Sequence, residues 1–281
     1  AGRMHPLKFD ELIKFHNYQP QRDAILSSSA CTRAKNIFGD AMFQIDVMAM
    51  VPGYAFMNGE TWGLAVTQAM RELGVDSPYA DGVDNRASQI WDDNDLKGFG
   101  PDTLFRFNEA SVSVERMVSQ PGRELSWGAM KALLNGIIIQ SWSAYETLAG
   151  HIIKFCKEDH PKLFNAAIIS KKHPVKSEKT IVESYQAVFG GDQEVCDSVW
   201  NSQIKAAALV RHLLVHSRGI VDESHKKQRA LPPIVTDWDA FAEGDEIPID
   251  GALTRDLFTR ILVGGFQLSE TVSKWVERKM P

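Results

Sequence analysis

Apolar residues along this chain recur mostly at spacings of three and four, which line one face of an α-helix, rather than at the spacing of two that lines a strand. Residues 6–17, 40–51 and 60–73 carry the pattern in short runs punctuated by Pro20, Pro52-Gly53 and Gly74, so three short helices are expected there. From Gly74 to Asp102 the pattern lapses. Gly74, Pro78, Gly82, Gly98, Gly100 and Pro101 are interleaved with Asp76, Asp81, Asp84, Asp92, Asp93, Asp95 and Asp102, which marks a seam with room for one short helix around Ile90 and Trp91.

Beyond the seam the helical runs lengthen. Asp102 can cap a helix to about Gln120, stopped by Pro121-Gly122, and Ser126 can cap the next. In that one Trp127, Met130, Leu134, Ile137, Ile138, Ser141, Trp142, Tyr145, Leu148, Ile152 and Phe155 define a broad buried face. Helices are further expected over 161–170, over 177–189 with Ser177 as cap, over 192–218 between Asp192 and Gly219, and from Asp250 to the end. Residues 229–250 read as loop, with EGDEIPID as a short extended piece. The expectation is an all-α chain, a helical bundle or array, in two parts: residues 1–101 as a helical N-terminal region and residues 102–281 as the more regular helical domain.

Composition narrows the functional classes. With 281 residues, 44% of them hydrophobic, there is material for a sizeable core, and neither low-complexity tracts nor fixed-period repeats occur. Cys31, Cys156 and Cys196 are far apart in sequence and lack the paired spacing of a disulfide or zinc framework, which fits a reducing, cytoplasmic setting. Apolar runs such as ALLNGIIIQSW are too short for a membrane helix, so a soluble protein without membrane contact is expected. A net charge of −5 removes general attraction to nucleic acid, so any such binding must be local. GxxxxGK, GxGxxG and GxSxG are all absent, and no cofactor is expected. Met42, Met48, Met50, Met57 and Met70 read as core, or as a docking surface.

The stretch AAALVRHLLVHSRGIVD, residues 206–222, sets charged and titratable residues inside an apolar helical run. At about 100° per residue His212 and His216 share a face, about 40° apart, while Arg211 lies on the flank. Three readings follow. Cations in the last turn before Gly219 can simply complement the helix dipole. Histidines at i and i+4 have the spacing of two zinc ligands, with Glu146, Asp222 or His225 as a third, although Leu213 stands where the metalloprotease pattern has glutamate.

The third reading is a resemblance. RHLLVHSRGIVD resembles the signature of the HEPN superfamily (higher eukaryotes and prokaryotes nucleotide-binding), whose ribonuclease members carry an arginine, an adjacent polar residue and a histidine a few positions on; Arg211, His212 and His216 match in order and spacing. Gly219 to Asp222, Trp142 and Glu146 within IIIQSWSAYETL, and the GDEIPID piece before the last helix are similar to the same group. The resemblance covers about residues 124–279. It implies a helical homodimer with a composite cleft and metal-independent cleavage of RNA, single-stranded more than double-stranded, in defence, toxin or RNA-processing roles. An antitoxin or other regulatory partner is among the implied partners.

On that reading His216 exchanges protons near neutral pH, Arg211 binds phosphate oxygens, and His212, where the family often has asparagine, orients or contacts the phosphate. Glu146 would support Arg211, and Arg218, Lys226 and Lys227 would contact RNA. A second basic stretch, 151–180, holds Lys154, Lys157, Lys162, Lys171, Lys172, Lys176 and Lys179 and reads either as a solvated surface or as a track for phosphates. The alternative function is a non-catalytic HEPN-type module that binds nucleotides, RNA or a protein.

Overall fold

The computed structural model describes residues 29–93, 124–170, 175, 177–223 and 242–280. The described residues are all-α: α1 (Ser29–Leu73), α2 (Val83–Asp93), α3 (Glu124–Asp159), a 3-10 turn (Pro161–Leu163), α4 (Ala166–Ser170), α5 (Glu178–Val188), α6 (Gln193–Val199), α7 (Ser202–His216) and α8 (Gly251–Lys279). Their β structure is limited to one isolated antiparallel bridge, Ile220 with Glu246. The expected helices at 6–17 and 102–120 lie outside the described residues. None of the described helices is long and apolar enough to cross a membrane.

Helix α3 is the centre of the assembly and packs against α1, α5, α7 and α8. Leu134, Ile137, Ile138, Tyr145, Leu148 and Ile152 are almost fully buried, as their spacing in sequence requires. Phe38 and Met42 of α1 join the same core, so it draws on both sides of residue 101. A satellite cluster of Ala65, Ala69, Val83, Ala87 and Ile90 ties the far end of α1 to α2.

Several expected boundaries fall differently. Helix α3 begins at Glu124, so Ser126 lies inside its first turn rather than capping it, and α1 begins at Ser29 rather than near residue 40. Instead of two runs separated at Pro52-Gly53, α1 continues through them for 45 residues. A proline inside a helix removes one hydrogen bond and crowds the preceding turn, costing about 3 kcal/mol, but α1 is anchored in the main core on one side of this point and in the satellite cluster on the other. The expected helix at 161–170 is divided by Asn165, whose side chain accepts from Ile168 N at 2.8 Å and caps α4.

The expected helix over 192–218 is likewise two helices. Asn201 restarts the chain by accepting from Gln203 N and Ile204 N, each at 3.0 Å. The buried Tyr145 hydroxyl donates to the Val199 carbonyl at 2.7 Å, giving a backbone oxygen at the break a partner. Val195 and Val199 are buried with Val210 and Leu213, but on separate helices rather than along one face. Three expected caps form: Asp192 and Asp250 accept from Val195 N and Leu253 N, and Ser177 makes a reciprocal capping box with Thr180.

Two of the cysteines that are far apart in sequence meet in space. Cys31 of α1 and Cys156 of α3 are completely buried thiols. Their mutual hydrogen bond, and then burial, push the Cys156 thiol well above its ordinary range. Since the thiolate is the reactive form, iodoacetamide should label the half-buried Cys196 before either member of the pair in native protein, and all three at similar rates in urea. Peptide mapping by mass spectrometry reads this directly; labelling of Cys31 or Cys156 at the rate of Cys196 would contradict the packing.

Candidate functional site

Helix α7 ends in a turn that the sequence specifies locally. Leu213 O accepts from both Ser217 N and Gly219 N at 2.9 Å, and the chain reverses through left-handed conformations at Arg218 (φ 55°) and Gly219 (φ 79°). Glycine adopts this geometry freely, whereas arginine does so at a cost of order 1 kcal/mol or more. Ser217 Oγ donates to the Asp222 carboxylate at 2.6 Å, closing the turn from inside.

Tertiary contacts then clamp it. Val221 N donates to Asp245 O and Ile247 N to Gly219 O, each at 2.8 Å, while Gly244 N donates to Val221 O at 2.9 Å. An ion pair between Lys131 of α3 and Glu246 fastens the same segment from the other side. Thus the GIVD and GDEIPID pieces lie against each other, and the segment leads directly to the Asp250 cap of α8.

On α7 the rings of His212 and His216 stand 4.6 Å apart, tilted by 44°, and both residues are exposed. Neither imidazole has a hydrogen bond among the described residues. The last-turn carbonyl of Leu213 is satisfied by backbone amides, so capping of that group does not require a histidine.

Arg211 is half-buried, and its Nε is buried with no hydrogen-bond partner among the described residues. Glu146 of α3 lies within its electrostatic reach. Burial pushes the Glu146 carboxyl above its ordinary value, opposed by a hydrogen bond from the Trp142 indole and by the charge of Arg211. Trp142 is buried and packs edge-on against Trp200 with ring centroids 5.9 Å apart. The structure therefore brings Arg211, His212 and His216 together on one helix, with Glu146 of α3 within electrostatic reach of Arg211.

Arg218 is exposed two residues beyond His216. Lys226 and Lys227 lie outside the described residues, as do Lys171, Lys172 and Lys176 of the basic stretch. Of its other members, Lys154 pairs with Glu158 at 4.0 Å and Lys179 with Glu183 at 3.8 Å. Among the described residues no group of three His, Cys, Asp or Glu side chains could hold a metal. Of the carboxylates considered as third zinc ligands, Asp222 accepts a hydrogen bond from Ser217. His225 lies outside the described residues.

A feature missed from sequence is a groove of about 640 Å³ lined by Ser177, Lys179, Val182, Glu183, Trp200 and Lys205. A legible signal existed: Lys205, His212 and His216, at i, i+7 and i+11, fall within about 40° on one helical face.

The raised Glu146 value has a consequence with a definite sign. Folding favours its neutral form, so the stability from this group is complete below the unfolded value, near 4.5, and is lost as pH rises through the folded one. Glu146→Gln should match wild type at the acid end and gain on it between about pH 4 and pH 7. Urea midpoints measured along that range test this, and a constant difference would contradict it.

No family model matches the chain, and no curated protein or solved structure matches it.

Proposed function

We propose that this chain is a metal-independent endoribonuclease of HEPN type, acting as a homodimer on single-stranded RNA in the cytoplasm. The observation that carries the reading is the exposed His212 and His216 pair with half-buried Arg211 on the same helix. Arginine, a polar neighbour and histidine in this order also carry the resemblance in sequence. Histidines left without internal hydrogen bonds are available to a substrate in a way that buried, satisfied ones are not.

The chemistry follows from these side chains. RNA holds its own nucleophile, the ribose 2′-hydroxyl, next to the phosphorus, so proximity comes with the substrate. His216 as neutral imidazole accepts the 2′-hydroxyl proton while the 2′-oxygen attacks and the bond from phosphorus to the 5′-oxygen breaks. A protonated His216 of a second copy gives its proton to that leaving oxygen. The products are a 2′,3′-cyclic phosphate and a 5′-hydroxyl, and every proton is accounted for.

Arg211 binds the phosphate oxygens through a planar fork that stays charged throughout. His212 orients the phosphate. Glu146 sets the position of Arg211 from behind, held in turn by Trp142. Arg218, Lys226 and Lys227 contact neighbouring phosphates.

The test is incubation of the purified chain with end-labelled single-stranded RNA in excess chelator, with product ends identified and oligomeric state measured by sedimentation. Cleavage to cyclic-phosphate ends by a dimer supports the reading. RNA or nucleotide binding with no cleavage under these conditions would replace it with the non-catalytic module, and neither binding nor cleavage would remove both.

A further inference from the structure

The groove at the start of α5 and the α6–α7 junction is connected to the Arg211 and His216 site by two separate routes. Along α7, Lys205 lies on the same face as His212 and His216, about 10 Å from the first and about 16 Å from the second at the helical rise per residue. Across the core, Trp200 of the groove packs edge-on against Trp142 of α3, one helical turn before Glu146, the carboxylate within electrostatic reach of Arg211. Lys205 of the groove therefore shares one face of α7 with His212 and His216.

Its chemistry is specific enough to choose an occupant. Lys179 is matched by Glu183 within the groove, whereas Lys205 has no ion pair among the described residues. One uncompensated ammonium beside the Ser177 hydroxyl favours an anion. Val182 and the exposed edge of the otherwise buried Trp200 supply apolar wall beside it. The groove is open to solvent, as a place that a continuous strand crosses must be. An anion joined to a flat apolar body describes a nucleotide.

We propose that this groove is a second nucleotide subsite, which holds a phosphate on Lys205 and the adjoining base against Trp200 and Val182, about two or three nucleotides along a single RNA strand from the phosphate at His216. The inference rests on the ribonuclease reading for the identity of the strand. It assigns Lys205 to substrate affinity and not to bond cleavage. A strand held at both places crosses the exposed face of α7.

The test compares the full-length chain with Lys205→Glu on two substrates, a dinucleoside monophosphate that spans only the phosphate at His216 and a single strand of about twelve nucleotides that also reaches the groove. Lys205→Glu is expected to raise KM for the longer RNA roughly tenfold with kcat unchanged, to leave the dinucleotide kinetics unchanged, and to lower the salt dependence of binding by about one phosphate contact. Lys205→Arg should retain affinity, and Arg71→Glu, at the satellite end of α1, should behave as wild type. Unchanged KM for the longer RNA would overturn the subsite, as would equal losses on both substrates. If wild type cleaves neither substrate the ribonuclease reading fails by itself, and fluorescence anisotropy with the same oligonucleotide decides the groove. A tenfold weaker Kd in Lys205→Glu would keep it as an RNA site; an unchanged Kd, or no binding by wild type, would overturn it.

Discussion

His216→Ala and Arg211→Ala are each expected to lower kcat for RNA cleavage by about a hundredfold to ten-thousandfold. His216 stands at an exposed helix end with no hydrogen bond among the described residues, so removing its ring should change stability by no more than about 0.5 kcal/mol. A large rate loss in a protein of unchanged stability would therefore locate the effect in proton transfer. Arg211 differs because it is half-buried beside Glu146. Arg211→Lys keeps the charge but loses the planar fork, and should recover little of the rate. A double variant should lose much less than the product of the single losses, since both groups act on one transition state. The measurement is single-turnover cleavage in chelator alongside urea unfolding of each variant; equal cleavage in wild type and both variants would sink the assignment.

Gly265→Ala is expected to destabilise the protein by about 1–3 kcal/mol, opposite in sign to the gain of up to about 1 kcal/mol that alanine brings to an open helix. A Cβ at position 265 would stand 2.4 Å from Phe38 Cε1, 2.6 Å from its Cζ and 2.9 Å from Leu148 Cδ2. Phe38 is a rigid ring, only 1% exposed, with no free side to move toward. This is the point where α8 meets both α1 and α3. Gly128→Ala is the matching control: its Cβ would meet nothing within 4 Å on exposed α3 surface, and it should stabilise. Urea unfolding of the two variants reads the contrast, and stabilisation by both would mean that the three helices do not approach as closely as described.

How much of this was legible differs from element to element. The faces of α3 and α8 could be read because a long helix against a core repeats its apolar residues for many turns. The caps at Ser177, Asp192 and Asp250 could be read because each side chain accepts from the amide three residues ahead. The His212 and His216 pairing was equally local. The break at Trp200 and Asn201 was not, since the apolar run continues across it and the Val199 carbonyl finds its partner 54 residues away on Tyr145.

Continuity through Pro52-Gly53 was hidden for a related reason. Local propensity argues for a stop there, and the core contacts that oppose it come from other parts of the chain. The candidate site divides along the same line. Its residue types and their places on α7 were available from spacing. Glu146 beside Arg211, the clamp of residues 244–247 on the turn and the groove at Trp200 required helices to be packed.

The sequence by itself determined the all-α class, the faces of its long helices, several of their ends, and the order of Arg211, His212 and His216. These depend on interactions within a few residues, where spacing is geometry. Tertiary structure alone decided where α6 ends, that α1 is continuous, that Cys31 meets Cys156, and what surrounds the α7 terminus. Those outcomes depend on contacts between segments tens to more than a hundred residues apart, which can outweigh a local preference of a few kcal/mol and leave no periodic trace in the chain.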